Sequence, residues 1–261
     1  MCWNGQASTA LATVGLVGAG YVSVKGEDAK LWLPLGYFAL MEALQAVTYS
    51  VIDQCDAPLN QILTLLSYLH IAFQPFFINA FALYFIPKSV SERISPWVYG
   101  TCFIGTIMVL VRLYPFTSIG MCDPKTMELC SEHLCSVSGS WHLAWGLPLN
   151  NMKWLSNGYL IPAFIIPVIY GSWKFLIYQS VFGPILASFL TNDMNEHLAI
   201  WCLLSIAFLL AATLNPVKES LYCRNWWLWD VLQLPAGDTS LDGEPVECNV
   251  SESILSTETD S

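Results

Sequence analysis

The chain predicts an all-α fold, a polytopic transmembrane bundle of seven helices, or six on the alternative count, with the N-terminus outside. Three observations carry this. The 261 residues are 55% hydrophobic and only 11% charged, with a mean hydropathy of +0.51, whereas soluble domains run at roughly 25% charged residues. Apolar runs recur at the length a bilayer demands, since about 30 Å of hydrocarbon takes about 20 helical residues at roughly 1.5 Å each. Lys and Arg fall almost entirely in alternate gaps between those runs, as short cytoplasmic loops require.

The first apolar segment, 5–24, has no basic stretch before it and no small-residue cleavage site after it, so it is expected to stay as a helix. Segments at 31–52, 59–86 and 95–114 follow. Residues 157–191 are apolar throughout, roughly 52 Å if helical, which is too long for one crossing. A turn at Gly171, Ser172 and Lys174 would divide them into 155–173 and 175–191 and give seven crossings. A break at Gly183 and Pro184 would leave a re-entrant piece and give six. The last segment is 195–214. On the seven-helix count Lys25, Lys30, Lys88, Arg93, Lys174, Lys218 and Arg224 lie inside, against Lys125, Lys153 and Arg112 outside.

Beyond the bundle (1–216), residues 217–234 hold CRNWWLWDVLQL, too short and polar to span, which reads as an interfacial helix on the cytoplasmic side. Residues 235–261 carry seven of the 20 acids and no base, leaving 13 acids against 10 bases elsewhere. The formal charge of −10 therefore belongs largely to a Ser/Thr-rich tail expected to be disordered and cytoplasmic. Membrane lipids are the expected partners, and nothing points to nucleic acid.

Ionisable groups inside hydrocarbon are costly, so each invites a functional reading. Glu42, Gln45, Tyr49 and Asp53 are spaced by three, four and four, which puts them on one helical face. Ser67, His70 and Gln74 answer from the next helix. Rise per residue brings Glu42 and His70 to comparable depth, so an outward-facing polar pocket between them is expected, or else an interhelical hydrogen bond. Asn192, Asp193, Asn195, Glu196 and His197 open the final helix, where capping accounts for the acids but not for His197. His70, His142 and His197, with Glu196 nearby, have the right count for a catalytic zinc.

The loop 115–154 is too long for a plain connector. Its GSWHLAWGLP stretch is expected to pack back onto the mouth of the bundle, with Trp141 and Trp145 at headgroup level and His142 between them. Cys2, Cys55, Cys122, Cys130 and Cys135 all fall outside and are disulfide candidates; Cys122, Cys130, His133 and Cys135 also allow a metal site, without a standard zinc spacing.

At MEALQAVTYSVIDQC, LHIAFQPFFIN, GSWHLAW and NEHLAIWC the chain resembles a bacterial family of multi-pass proteins of unknown function over about residues 1–230. That resemblance implies an integral protein of the bacterial plasma membrane and no particular activity. Ser67, His70 and His197 are also similar to part of the pattern of alkaline ceramidase-like intramembrane hydrolases, which implies Ser, Asp and three His around a zinc. The second His of their last-helix HxxxH is Trp201 here.

Two functions are expected from these residues. The first is binding, sensing or moving a small molecule at Glu42, Gln45, Tyr49, Asp53, Ser67, His70 and Gln74. The second is metal-dependent hydrolysis of a lipid, with zinc on His70, His142 and His197 and with Glu196 or Asp53 positioning water. Nucleotide cradles, HExxH and GxSxG are absent from the sequence, and the last segment lacks the lysine a retinal Schiff base needs.

Overall fold

The computed structural model describes residues 3–234. Cys2 and the acidic tail lie outside the described residues.

Helix α1 (Gly5–Val24) begins at Asn4, whose side chain accepts from the Ala7 N–H, and α2 (Ala29–Thr48) begins at Asp28, which accepts from Lys30 N–H. Helix α3 (Pro58–Tyr84) starts with proline, whose missing N–H costs nothing in a first turn, and α4 is Lys88–Val111. After a long connection come α5 (Lys153–Ile169), α6 (Trp173–Leu190) and α7 (Met194–Thr213), then the short α8 (Asn215–Leu221) and α9 (Trp227–Val231). Among the described residues α1, α3, α4, α6 and α7 are long and apolar enough to cross a membrane. Helix α4 starts seven residues earlier than the sequence suggests, and α2 ends at Thr48 in a turn instead of running to 52.

Of the two alternative breaks in 157–191, the Gly171 turn divides the segment, while Gly183–Pro184 only bends a continuous helix and starts no separate piece. The chain turns over Gly171 at φ +97°, and α6 bends where Gly183 leaves helical geometry before Pro184. Helix α5 is also irregular, with a π-helical turn at Ile161–Ile165 that contains Pro162 and is followed by Pro167. Pro167 cannot donate to the carbonyl four residues earlier, and Ala163 O accepts instead from Gln179 Nε2 of α6 at 2.7 Å. Asn79 Nδ2 likewise donates to Pro162 O at 2.8 Å. Helices α4 and α5 meet backbone to backbone, because a Cβ on Gly105 would sit 2.1 Å from Gly158 O.

Phe38, Phe81, Phe85, Phe175 and Phe208 pack ring on ring near the end of the bundle where α3 stops, with centroids 5.0–5.6 Å apart, and tie α2, α3, α6 and α7 together. At that end, called here the tail end, Lys218 pairs with Glu27 at 2.8 Å. Two tryptophans close α5: Trp226 Nε1 donates to Ile169 O and Trp229 Nε1 to Tyr170 O, both at 3.0 Å. These are carbonyls a helix terminus leaves without partners. The stretch expected as a plain interfacial helix is thus partly structural: Trp229 is buried and Trp227 exposed.

The opposite end carries a cap, residues 112–152, and here the all-α expectation misses an element. Strands β1 (Cys135–Ser138) and β2 (Leu143–Gly146) form an antiparallel hairpin with Cys135 opposite Gly146. The bridge Cys55–Cys135 ties the hairpin to the α2–α3 turn, and Cys122–Cys130 closes a loop within the cap.

Candidate ligand site beneath the cap

The polar residues at the cap end are placed by the cap itself. Asp53, at φ 66°, donates its N–H to Ser136 O and accepts from Ser138 N and Oγ at 2.7 and 2.6 Å. Asn60 brackets Ser136, donating to its carbonyl and accepting from its N–H. Thr64 Oγ1 lies 2.7 Å from Ser136 Oγ. On the other side, the Glu196 carboxylate accepts from Thr191 Oγ1, Ser140 Oγ and Trp141 N at 2.5, 2.8 and 2.5 Å, and from His142 N. A Cβ on Gly139 would fall 2.7 Å from that carboxylate, so only glycine lets the loop close over it.

His142 is fully buried between these anchors. Its Nε2 is 2.7 Å from Gln45 Oε1 and its Nδ1 2.5 Å from the Tyr49 hydroxyl. An amide oxygen only accepts, so Nε2 carries the proton and Nδ1 accepts from Tyr49. Burial pushes this imidazole down to about 4, with Glu196 pulling the other way. Trp141 stacks on Trp3 at 5.7 Å, while Trp145 is buried in the core instead of standing at headgroup level, because the hairpin turns it inward.

The sequence-predicted pocket residues therefore divide. Gln45, Tyr49 and Asp53 are brought together with the cap as its docking surface. Ser67 Oγ donates back to Leu63 O within its own helix, and Gln74 joins the Cys202 thiol and the Tyr159 hydroxyl. His70 stacks on Tyr37 at 3.8 Å and its Nε2 bonds Tyr37 O at 2.8 Å. Glu42 is buried close to the Ser8 side chain, beside a narrow gap shared with Ser205 and Leu209. No hydrogen bond joins Glu42 to His70: equal depth left the rotation of each helix open, and His70 turns to Tyr37.

Nor are the three imidazoles brought together. His70, His142 and His197 bond Tyr37, Gln45 with Tyr49, and Pro184 respectively, with His197 Nε2 3.2 Å from Pro184 O. Among the described residues no group of three or more His, Cys, Asp or Glu is placed to hold a metal ion. The donor set thus does not fit the zinc that the ceramidase-like resemblance implies. Four of the five candidate cysteines are joined in the two bridges, and Cys2 lies outside the described residues.

The open space lies elsewhere. A cavity of about 580 Å³ runs beneath the cap between α3, α4, α5 and α7, touching α6 at Pro184. Tyr68, Ile71, Phe164, Leu198 and Trp201 give it an apolar wall; Arg112, Glu128, Lys153 and His197 lie toward the cap. Arg112 is buried, with Nη1 2.9 Å from Ser156 Oγ and no hydrogen-bond partner for Nε. Gly183 makes room for this wall, since a Cβ there would sit 2.4 Å from Trp201 Nε1.

Residues 6–222 match a family described as of unknown function, DUF5765. The chain belongs to this family. No curated protein and no solved structure matches it. The DUF5765 span contains the whole cavity and the whole cap, and stops before the three tryptophans at 226, 227 and 229. Sequence reasoning noticed Arg112 only as a charge for orientation and missed Ser136, Asn60, Ser156 and Trp201 as site residues. The available signal was an arginine at the end of an apolar segment with no nearby acid in sequence to pair it.

Proposed function

We propose that this DUF5765 protein is an integral membrane protein that binds an amphipathic small molecule in the cavity beneath its cap. The observation that carries the reading is the cavity itself. Its volume of about 580 Å³ falls in the range of small-molecule sites, roughly 300–1,000 Å³. Its wall is apolar toward the bundle and polar toward the cap. Helix α3 supplies Tyr68 and Ile71 to this cavity, while His70 between them turns to Tyr37 on α2.

In this reading the protein sits in the plasma membrane with the cap outside and residues 215–234 in the cytoplasm. The cap end holds the two disulfides, which oxidising compartments favour. The tail end holds Lys25, Lys30, Lys88, Arg93, Lys174, Lys218 and Arg224, as cytoplasmic loops favour.

Thermal unfolding of the protein in nanodiscs, titrated with single-chain amphiphiles of neutral and charged headgroup, tests the reading. A ligand that binds only the folded state raises the midpoint in a saturable way. At least one amphiphile is expected to do so, and Leu198→Trp, which fills the cavity, is expected to abolish the shift. Wild-type protein that no amphiphile stabilises, or a shift indifferent to Leu198→Trp, overturns it.

A further inference from the structure

We propose that the cavity selects an amphiphile ending in an acidic group, a carboxylate or a phosphate, and that Arg112 recognises that group. The inference rests on the ligand-binding reading of the same cavity. Arg112 is the residue that caps the C-terminal end of α4, 6% exposed, on the cavity wall. A guanidinium stays protonated at any physiological pH and presents five N–H donors in a planar fork. Here a serine hydroxyl takes one of them, and the Nε donor is buried with no partner. Among the described residues no carboxylate contacts Arg112 as an ion pair, and Glu128 acts on it only from beyond contact distance. Removing a charge from water without a counterion is costly, so a buried, half-satisfied guanidinium facing open space is a feature that an incoming anion repairs.

The surroundings fix what kind of anion. Lys153 stands on the same wall, its Nζ 3.0 Å from Thr126 Oγ1, so two cations face a single exposed acid, Glu128. A free inorganic anion would need only this rim. Beyond it the wall turns hydrophobic: from Ser156 to Phe164 the cavity follows α5 for about 12 Å, with Leu198 and Trp201 opposite. An acidic head at Arg112 therefore leaves its hydrocarbon chain directed along Phe164 and Trp201.

Equilibrium binding to the full chain in nanodiscs of zwitterionic lipid, with oleate, oleoyl-lysophosphatidate, mono-oleoylglycerol and inorganic phosphate as probes, separates the possibilities. The two acidic amphiphiles are expected to bind at least about tenfold more tightly than mono-oleoylglycerol and than phosphate. Arg112→Gln is expected to erase the preference over mono-oleoylglycerol, and Arg112→Lys to keep part of it; the unfolding midpoint of each variant shows whether it is folded. Equal affinity for the acidic and neutral chains, or a preference unchanged in folded Arg112→Gln, overturns the headgroup assignment while the ligand cavity stands. Phosphate binding as tightly as lysophosphatidate overturns the amphiphile. Failure of all three chain-bearing probes to bind saturably sinks the cavity reading itself.

Discussion

Glu196 gathers four hydrogen bonds on two oxygens, two of them from consecutive backbone N–H groups of the cap. Removing such an acceptor leaves buried donors unpaired, which costs about 1–3 kcal/mol per group. Glu196→Ala is therefore expected to lower the unfolding midpoint strongly. Glu196→Gln, which keeps one oxygen for the backbone donors while hydroxyls rotate toward its amide, should lower it less; equal losses in the two variants would show that the carboxylate is not the clamp. His142 gives the cap a pH response. Its folded value of about 4 lies below the ordinary 6.5, so protonation favours the unfolded state. Its contribution is fully present above 6.5 and is lost as pH falls toward 4, up to about 3 kcal/mol at the conversion of 1.36 kcal/mol per pK step. Stability scanned from pH 7 to 4 should fall over that window, and the fall should be shallower in His142→Phe. The Gln45–Tyr49 part of the stripe was legible in the sequence because helical spacing fixes a shared face, whereas Asp53 lies beyond the end of α2 in a turn at φ 66° and reaches the cap from there. The partner of Gln45 and Tyr49 was not legible, because His142 is 93 residues away from Tyr49 and reaches it through a hairpin that no local rule predicts.

Helices were legible for the same reason that the hairpin was not. Runs of 17 or more apolar residues state their own structure, whereas strands of four residues hold only because Cys55, Asn60 and Thr64 grip them from outside. The Gly171 turn was legible from the excess length of 157–191, and the π-helical turn in α5 was not, since it depends on Gln179 and Asn79 arriving to satisfy freed carbonyls. The α4–α5 contact is the place where element packing is least forgiving. A methyl group on Gly105 meets backbone rather than a movable side chain, so the helices must separate. Gly105→Ala is expected to cost about 1–3 kcal/mol, read as a drop in unfolding midpoint, and to weaken ligand binding because α4 and α5 are two walls of the cavity. Gly100→Ala, with nothing within 4 Å of the added methyl, is the control and should change neither.

At the scale of the molecule, the fold separates chemistry by end: disulfides, buried His142 and the cavity under the cap, most Lys and Arg at the tail end. The proposed orientation predicts that an exposed cysteine introduced at Asp123 reacts with an impermeant maleimide on intact cells, and that one at Ser220 reacts only after permeabilisation; the reverse pattern would invert the topology. Charge distribution in the sequence is what the proposed orientation rests on, whereas the cavity had no sequence signal, since its walls come from five helices and a loop spread over residues 68–201. Its most telling residue, Arg112, looked in sequence like one more charge at a helix end. Mass spectrometry of intact protein released from nanodiscs made with native membrane lipid measures the cavity's occupancy directly. The account predicts a retained single-chain acidic lipid at one per protein, absent from Leu198→Trp; protein released with nothing bound, or with the same lipid on Leu198→Trp, would contradict it.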